Sequence, residues 1–348
     1  MALVCESMNE VKPQAGKGAI FAFLLLSIFV SLGAAEIMLR VAGFSYRLYP
    51  EKIEFGWPRP NVMKDMYMPD DLLLWVQKDY QQKLQRLRQS PPGIILMGDS
   101  CTEFGKYDEY LSQNIQRDYP DSALSVAKLG VGGWTSYQGL QQLKRDISPL
   151  KPEIVTIYYG WNDHWIGFGI QDKEIGRIRS PLFSRLERLR ITQLAVKTWI
   201  ILTQKEKNSF PYRVTLDDFR TNLSEMVRAA RKAGIIPVLL TAPSSHRRGK
   251  EPQYLQQRHI KNLQELIPLH QSYAAVVREV ASTEKAPLCD LFADFDALPG
   301  REVSREYFNK DGIHLTQRGS EKLAEFLYAC LKGQNLLVPE GKNERAVQ

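Results

Sequence analysis

At 348 residues, with 44% hydrophobic and 24% charged side chains, the chain can hold one large domain or two ordinary ones and is too apolar to be disordered. Its net charge of +7 suits an acidic polymer or a membrane surface, and no zinc-finger spacing or long basic run points to nucleic acid. The four cysteines, Cys5, Cys101, Cys289 and Cys330, include no CxxC pair, so a cysteine metal cluster is not expected. They read as mostly free, buried thiols, with a Cys289–Cys330 disulfide left open.

Residues 1–17 form a short tail of mixed charge. Residues 18–35 then run without a charge, GAIFAFLLLSIFVSLGAA, between Lys17 and Glu36. That length is near the minimum of about 18 apolar residues for a membrane span. A core helix would carry polar residues on one face. A cleaved signal peptide usually has an apolar stretch of only about 7–15 residues, although Gly33 and Ala35 could form a cleavage site. The expectation is an uncleaved signal anchor over residues 18–40, holding the chain to a membrane as a single pass. Lys12 and Lys17 before it and Arg40, Arg47 and Lys52 after it give no vote on orientation.

Residues 41–92 read as a connector. Leu72-Leu73-Leu74-Trp75 suggests a short packed element, and the polar run 77–89 a helix. Pro91-Pro92-Gly93 ends it, since proline cannot continue a helix.

From residue 93 onward, strand and helix alternate. Strands are expected at 94–97, 124–129, 154–159, 235–240 and 288–291. Amphipathic helices are expected at 107–117, 137–147, 216–232, 254–282 and 317–331. Short apolar strands separated by helices imply an α/β fold with a parallel sheet covered on both faces. Ligands in such sheets sit outside the carboxyl ends of the strands. Residues 164–215 break the rhythm, as a connection far longer than usual. Within them Leu182, Leu186 and Leu189 fall at helical spacing, interleaved with Arg185, Arg188 and Arg190. This is either a packed surface helix or a lid for an anionic or membrane-bound substrate. Residues 333–348 read as a polar tail.

Four short stretches carry the chemistry. Gly98-Asp99-Ser100 puts a serine where a strand ends and a helix begins, which exposes its Oγ. A serine is a weak nucleophile until a base takes its proton. Gly130-Val131-Gly132-Gly133 follows a strand and lets backbone N–H groups approach a ligand. Gly160-Trp161-Asn162-Asp163 follows the next strand, and the Asn162 amide can donate to an oxyanion. In Asp311-Gly312-Ile313-His314 the carboxylate can fold back onto the imidazole Nδ1–H and leave Nε2 as a base. Singly, each stretch reads equally well as a turn or a cap.

In this order the four stretches resemble the GDSL esterases, the SGNH hydrolase superfamily, over about residues 93–332, with 164–215 as a variable insertion and the apolar helix suggesting a membrane-anchored bacterial type. The resemblance implies a three-layer α/β/α sandwich with a five-stranded, flavodoxin-like parallel sheet. It implies Ser100 as nucleophile, His314 as base, Asp311 as its partner, and the Gly133 N–H and Asn162 side chain as oxyanion donors. Gly133 is chosen over Gly130 because Gly133-Trp134-Thr135-Ser136 better matches the family's second block. Lys128 departs from the family, which often has asparagine there, so support of the glycine loop is expected to differ. His164 and His246 are candidate substrate contacts, while His259 and His270 read as helix residues.

The expected activity is ester hydrolysis through an acyl-enzyme, without metal or cofactor. The expected substrate is an ester, acetyl above all, on a carbohydrate such as an acylated polysaccharide. The catalytic domain is expected on the periplasmic or extracytoplasmic side. A polysaccharide O-acetyltransferase, a lipid esterase and a non-catalytic binding protein with the same fold are the alternatives.

Overall fold

The computed structural model describes residues 17–46, 66–122, 124–166, 171–178, 186, 188–203, 211–298 and 306–337. Five parallel strands form the central sheet: β3 (Ile94–Gly98), β4 (Val126–Lys128), β5 (Ile154–Tyr158), β6 (Ile236–Leu240) and β7 (Leu288–Cys289). An antiparallel hairpin, β1 (Tyr67–Asp70) and β2 (Leu74–Gln77), precedes them. The sheet order is β4-β3-β5-β6-β7, so β3 and β5 are central and wholly buried. Ile94 pairs with Val126 on one side and Ile154 on the other.

Successive strand residues point to opposite faces, and this makes two cores. Ile95, Met97, Val155, Ile157 and Leu239 pack on one face with the hairpin and with helices α5 (Ser136–Gln142), α8 (Leu216–Lys232) and α10 (Leu266–Thr283). Ile94, Leu96, Ile154, Tyr158, Val238 and Leu240 pack on the other with α4 (Tyr107–Asp118), α11 (Leu291–Asp296) and α12 (Gln317–Gly333). The α/β/α sandwich expected from the sequence is therefore present, with all five strands at their expected places and the outer two shortened.

Three elements differ from expectation. Residues 66–90, placed in the connector, belong to the folded body: Leu73, Leu74, Trp75 and Tyr80 are buried in the first core, and the polar run forms α2 (Tyr80–Gln89). The helix expected at 137–147 is α5 followed by a π-helical turn over Leu143–Ile147. The helix expected at 254–282 is broken into α9 (Gln253–Arg258), a short 3₁₀ turn and α10. Asn262 starts the 3₁₀ turn by accepting from the Gln264 N–H, and Pro268 lies in the first turn of α10, where its missing N–H costs no hydrogen bond.

In the long connection, Ile166 bridges Tyr212, and α6 (Asp172–Ile178) and α7 (Arg190–Thr203) lie between them. Leu182 and Arg185 fall outside the described residues. The N-terminal α1 (Lys17–Val41) holds a candidate membrane span within Gly18–Val41, with an 18-residue window of mean hydropathy 2.3, none of it buried.

The cysteine expectation is corrected in part. Cys289 and Cys330 form a disulfide that joins β7 to α12, while Cys101 is a free, buried thiol; Cys5 lies outside the described residues. The bridge closes a loop of 41 residues that contains Asp311 and His314. For a loop of that size, reduction is expected to cost at most about 4 kcal/mol on the chain-entropy account. Urea unfolding with and without reductant measures it, with Cys330→Ser as the reference. A reductant-independent midpoint would show that the two thiols are not joined.

Candidate active site

The site lies at the carboxyl ends of three adjacent strands. β3 stops at Gly98, where an added Cβ would fall 2.0 Å from Thr102 Oγ1 and 2.9 Å from the Tyr158 carbonyl oxygen. Only glycine fits there. Asp99 caps the next helix, α3 (Ser100–Phe104), by accepting from the Cys101 N–H at 2.8 Å. Ser100 therefore begins the helix directly at the strand tip. β4 leads into the glycine loop and β5 into Gly160, Trp161 and Asn162.

Asp311 and His314 come from the turn before α12. One Asp311 oxygen accepts from the Ile313 and His314 backbone N–H groups, each at 2.9 Å. The other lies 2.7 Å from His314 Nδ1, and His314 Nε2 lies 2.8 Å from Ser100 Oγ. With Nδ1–H directed at the carboxylate, Nε2 carries the lone pair that accepts the serine proton. Burial lowers the His314 pKa, but the hydrogen bond and charge of Asp311, with the Asp99 charge behind them, outweigh it and leave a net rise above 6.5. Burial raises the Asp311 pKa, and the His314 bond and the two backbone N–H groups bring it below 3.8 overall. A protonated His314 cannot take the serine proton. Activity should therefore fall as pH drops through a midpoint above 6.5, and Asp311→Asn should move that midpoint to lower pH. A profile of kcat against pH for both proteins checks this; an unmoved limb would detach Asp311 from His314.

Asn162 Nδ2 donates to Asp99 Oδ2 at 2.9 Å, which fixes the amide and leaves its second N–H available. Asp99 is fully buried, and burial raises its pKa against the pull of the Cys101 and Asn162 donors. Gly133 has φ +78°, a conformation that favours glycine. Ser100, Gly133, Asn162, Asp311 and His314 all line one cavity of about 820 Å³, together with Trp161, Trp165, Tyr254 and His259. That is the size of a small-molecule site.

His164 and His246 are absent from this lining. His164 is fully buried, with Nε2 3.0 Å from His270 Nδ1, and His270 Nε2–H in turn donates to the Ala242 carbonyl at 2.9 Å. Burial holds His164 well below its usual pKa and takes His270 down to about 3, so both are neutral. His270 also stacks on Trp161, with centroids 3.7 Å apart. His246 Nε2 donates to the Asp311 carbonyl at 2.7 Å, and its Nδ1 accepts from Ser244 Oγ at 3.0 Å. It braces the turn that carries His314. Besides His314, the lining holds His259, at the end of α9.

The supports of the glycine loop were not visible in the sequence. The Trp75 indole N–H donates to the Gly132 carbonyl at 2.8 Å. That carbonyl and the Gly133 N–H belong to one planar peptide group, so the indole sets the direction of the N–H. Glu103, one turn after Ser100, accepts from the Gly132 N–H and the Tyr67 hydroxyl, each at 2.5 Å, and from Gln77 Nε2 at 2.6 Å. Arg213 Nη1 donates to the Gly133 carbonyl at 2.7 Å while its other nitrogens grip Asp172. Lys128, the residue that departs from the family, instead holds the Gly105 carbonyl at 2.6 Å and Asp108 at 3.1 Å.

A five-stranded parallel sheet flanked by helices is the fold of the SGNH hydrolases. Residues 96–322 match the GDSL-like Lipase/Acylhydrolase family; the chain belongs to it and is an ester-bond hydrolase. A curated relative, the uncharacterized lipoprotein YqeF of Bacillus subtilis (strain 168), is 23% identical over 67% of this chain and 86% of its own. Among solved structures, a lipase/acylhydrolase from Enterococcus faecalis is 21% identical with a TM-score of 0.45, covering 70% of this chain and 96% of that one. A variant of an acetyl xylan esterase from Geobacillus stearothermophilus is 17% identical with a TM-score of 0.44, covering 70% and 95%.

Proposed function

We propose that the protein releases a short acyl group, acetyl above all, from a carbohydrate ester outside the cytoplasm, through an acyl-enzyme on Ser100. The hydrogen-bonded series Asp311–His314–Ser100, opening into the cavity, carries this reading. Ser100 Oγ attacks the ester carbonyl carbon as His314 Nε2 takes its proton. The Gly133 N–H, the Ser100 N–H and the second N–H of Asn162 receive the developing oxyanion. The C–O bond to the alcohol then breaks, and His314 returns the proton to the leaving oxygen. Water, deprotonated by the same nitrogen, attacks the acyl-enzyme and frees Ser100.

The lining mixes the rings of Trp161, Trp165 and Tyr254 with Asn309 and Lys310, which suits the CH faces and hydroxyls of a sugar. The Cys289–Cys330 bridge supports an oxidising compartment, and α1 supports a tether to a membrane facing it.

Two assays test the reading. Aryl esters of increasing chain length should show highest kcat/KM for acetyl, and acetylated oligosaccharides should release free acetate. A preference for long chains would assign the site to lipid esters. Acetyl delivered to an added oligosaccharide in preference to water would make it a transferase. Proteolysis of intact cells should reach the hydrolase domain from outside.

A further inference from the structure

We propose that α7 is a second membrane contact, lying in the headgroup layer of an anionic bilayer beside the point where α1 leaves it. This rests on the reading of α1 as an anchor and adds the element that fixes the domain against the lipid surface.

The two helices are joined where α1 turns polar. Glu36 Oε2 accepts from the Ile191 N–H at 3.0 Å, and Arg40, paired with Glu36, donates to the Arg188 carbonyl at 3.3 Å. Just beyond α1, Arg190 donates to Ser45 Oγ at 2.8 Å, and Gln193 Oε1 accepts from the Tyr46 N–H at 3.0 Å. Glu36 and Arg40 are the first charges after the apolar stretch, so they mark the lipid boundary. The start of α7 is thereby held at that level.

The sequence of α7, RITQLAVKTWIILT, suits such a place. Leu194, Ile201 and Leu202 recur at i, i+7 and i+8, on one helical face. Ile201 is 58% and Leu202 80% exposed, with Leu194 and Trp199 also exposed. The opposite face carries Gln193, buried where it accepts from the Tyr46 N–H just after α1. The helix contains Arg190 and Lys197 and no acidic residue. Lys197 Nζ sits 5.5 Å from the Phe44 ring centroid, so basic and aromatic groups share one margin. An apolar face, a basic margin and interfacial aromatics are the marks of a helix seated about 5–10 Å into the headgroup boundary. The exposed apolar face starts from the point where the exposed apolar surface of α1 ends, and lipid is the occupant that covers both.

The full chain, with Cys5→Ser, is reconstituted into phosphatidylcholine–phosphatidylglycerol vesicles and labelled with a fluorophore at Leu202→Cys, at Leu26→Cys within α1, or at Lys232→Cys on the exposed body. Nitroxides at shallow and deep positions on the lipid serve as quenchers. Most of the fluorescence at position 202 should be lost to the shallow nitroxide, position 26 should respond to the deep one, and position 232 to neither. Quenching at 26 with position 202 open to aqueous iodide would leave the anchor standing and overturn the proposal. Shielding of 202 from both lipid nitroxide and iodide would mean a second copy covers α7, and would overturn it too. Loss of quenching at 26 would sink the anchor reading instead. Leu194→Glu with Ile201→Glu, both on the exposed face, should abolish the shallow quenching at position 202 while hydrolysis of a soluble aryl ester is unchanged.

Discussion

Ser100→Ala should lower kcat for a short-chain aryl ester by about 10⁴–10⁶ and leave the thermal midpoint nearly unchanged. Among the described residues, the side chain removed carries the one oxygen that bonds His314 Nε2, at 2.8 Å. Nothing else at the strand tip substitutes for it: Cys101 is buried, and burial foremost, with the Asp99 and Asp311 charges, pushes its thiol well above its usual pKa, so it stays a protonated, poor nucleophile. The residual rate should come from the oxyanion donors and binding, which the substitution leaves in place. A fall in kcat with KM largely kept is the expected form. Equal rates in the two proteins would remove Ser100 from the mechanism, and a collapse of the melting transition would show that the loss is one of folding.

Arg213→Met should destabilise the domain by about 3–5 kcal/mol, because it strands a buried carboxylate. Arg213 and Asp172 are 0% and 1% exposed, with the closest contact at 2.8 Å. Asp172 also accepts from Thr135 Oγ1 and Gln138 Nε2, so its charge joins the glycine loop, α5 and α6. Adding Asp172→Asn should recover part of the loss, since the stranded charge and not the missing contact dominates it. Urea midpoints of the single and double variants measure both terms. Arg213→Met should also lower kcat at unchanged KM, because the Gly133 carbonyl loses its donor. Full stability in the single variant would mean that water reaches Asp172.

The sheet was legible because β3 is an unbroken apolar run and β5 is apolar but for Thr156, the pattern of a strand buried on both faces. The break between α9 and α10 was harder to see. The apolar spacing continues across it, and the interruption depends on Asn262 accepting one backbone N–H. The positions of Ser100, Asn162, Asp311 and His314 were legible because each sits within a few residues of a strand end or turn. The hairpin was not. β1 reads YMPD, with no alternation to mark it, and Leu74 occupies φ +67°, which no local pattern announces. Trp75, Glu103 and Arg213 show their roles only through partners across the fold. His164 and His246 read as candidate substrate contacts because they follow strand ends, yet packing around Trp161 buries the first, and the second is tied to the Asp311 turn.

The Trp75–Gly132 hydrogen bond spans 57 positions, Arg213–Gly133 spans 80 and His314–Ser100 spans 214. Contacts between such distant segments form late, because the entropy of closing each loop is lost before the contact returns anything. The hairpin reaches its final place only after the glycine loop exists to receive it. During refolding, helical signal should therefore recover before esterase activity, and the interval reports how long the chain waits with its helices formed and its nucleophile unaimed.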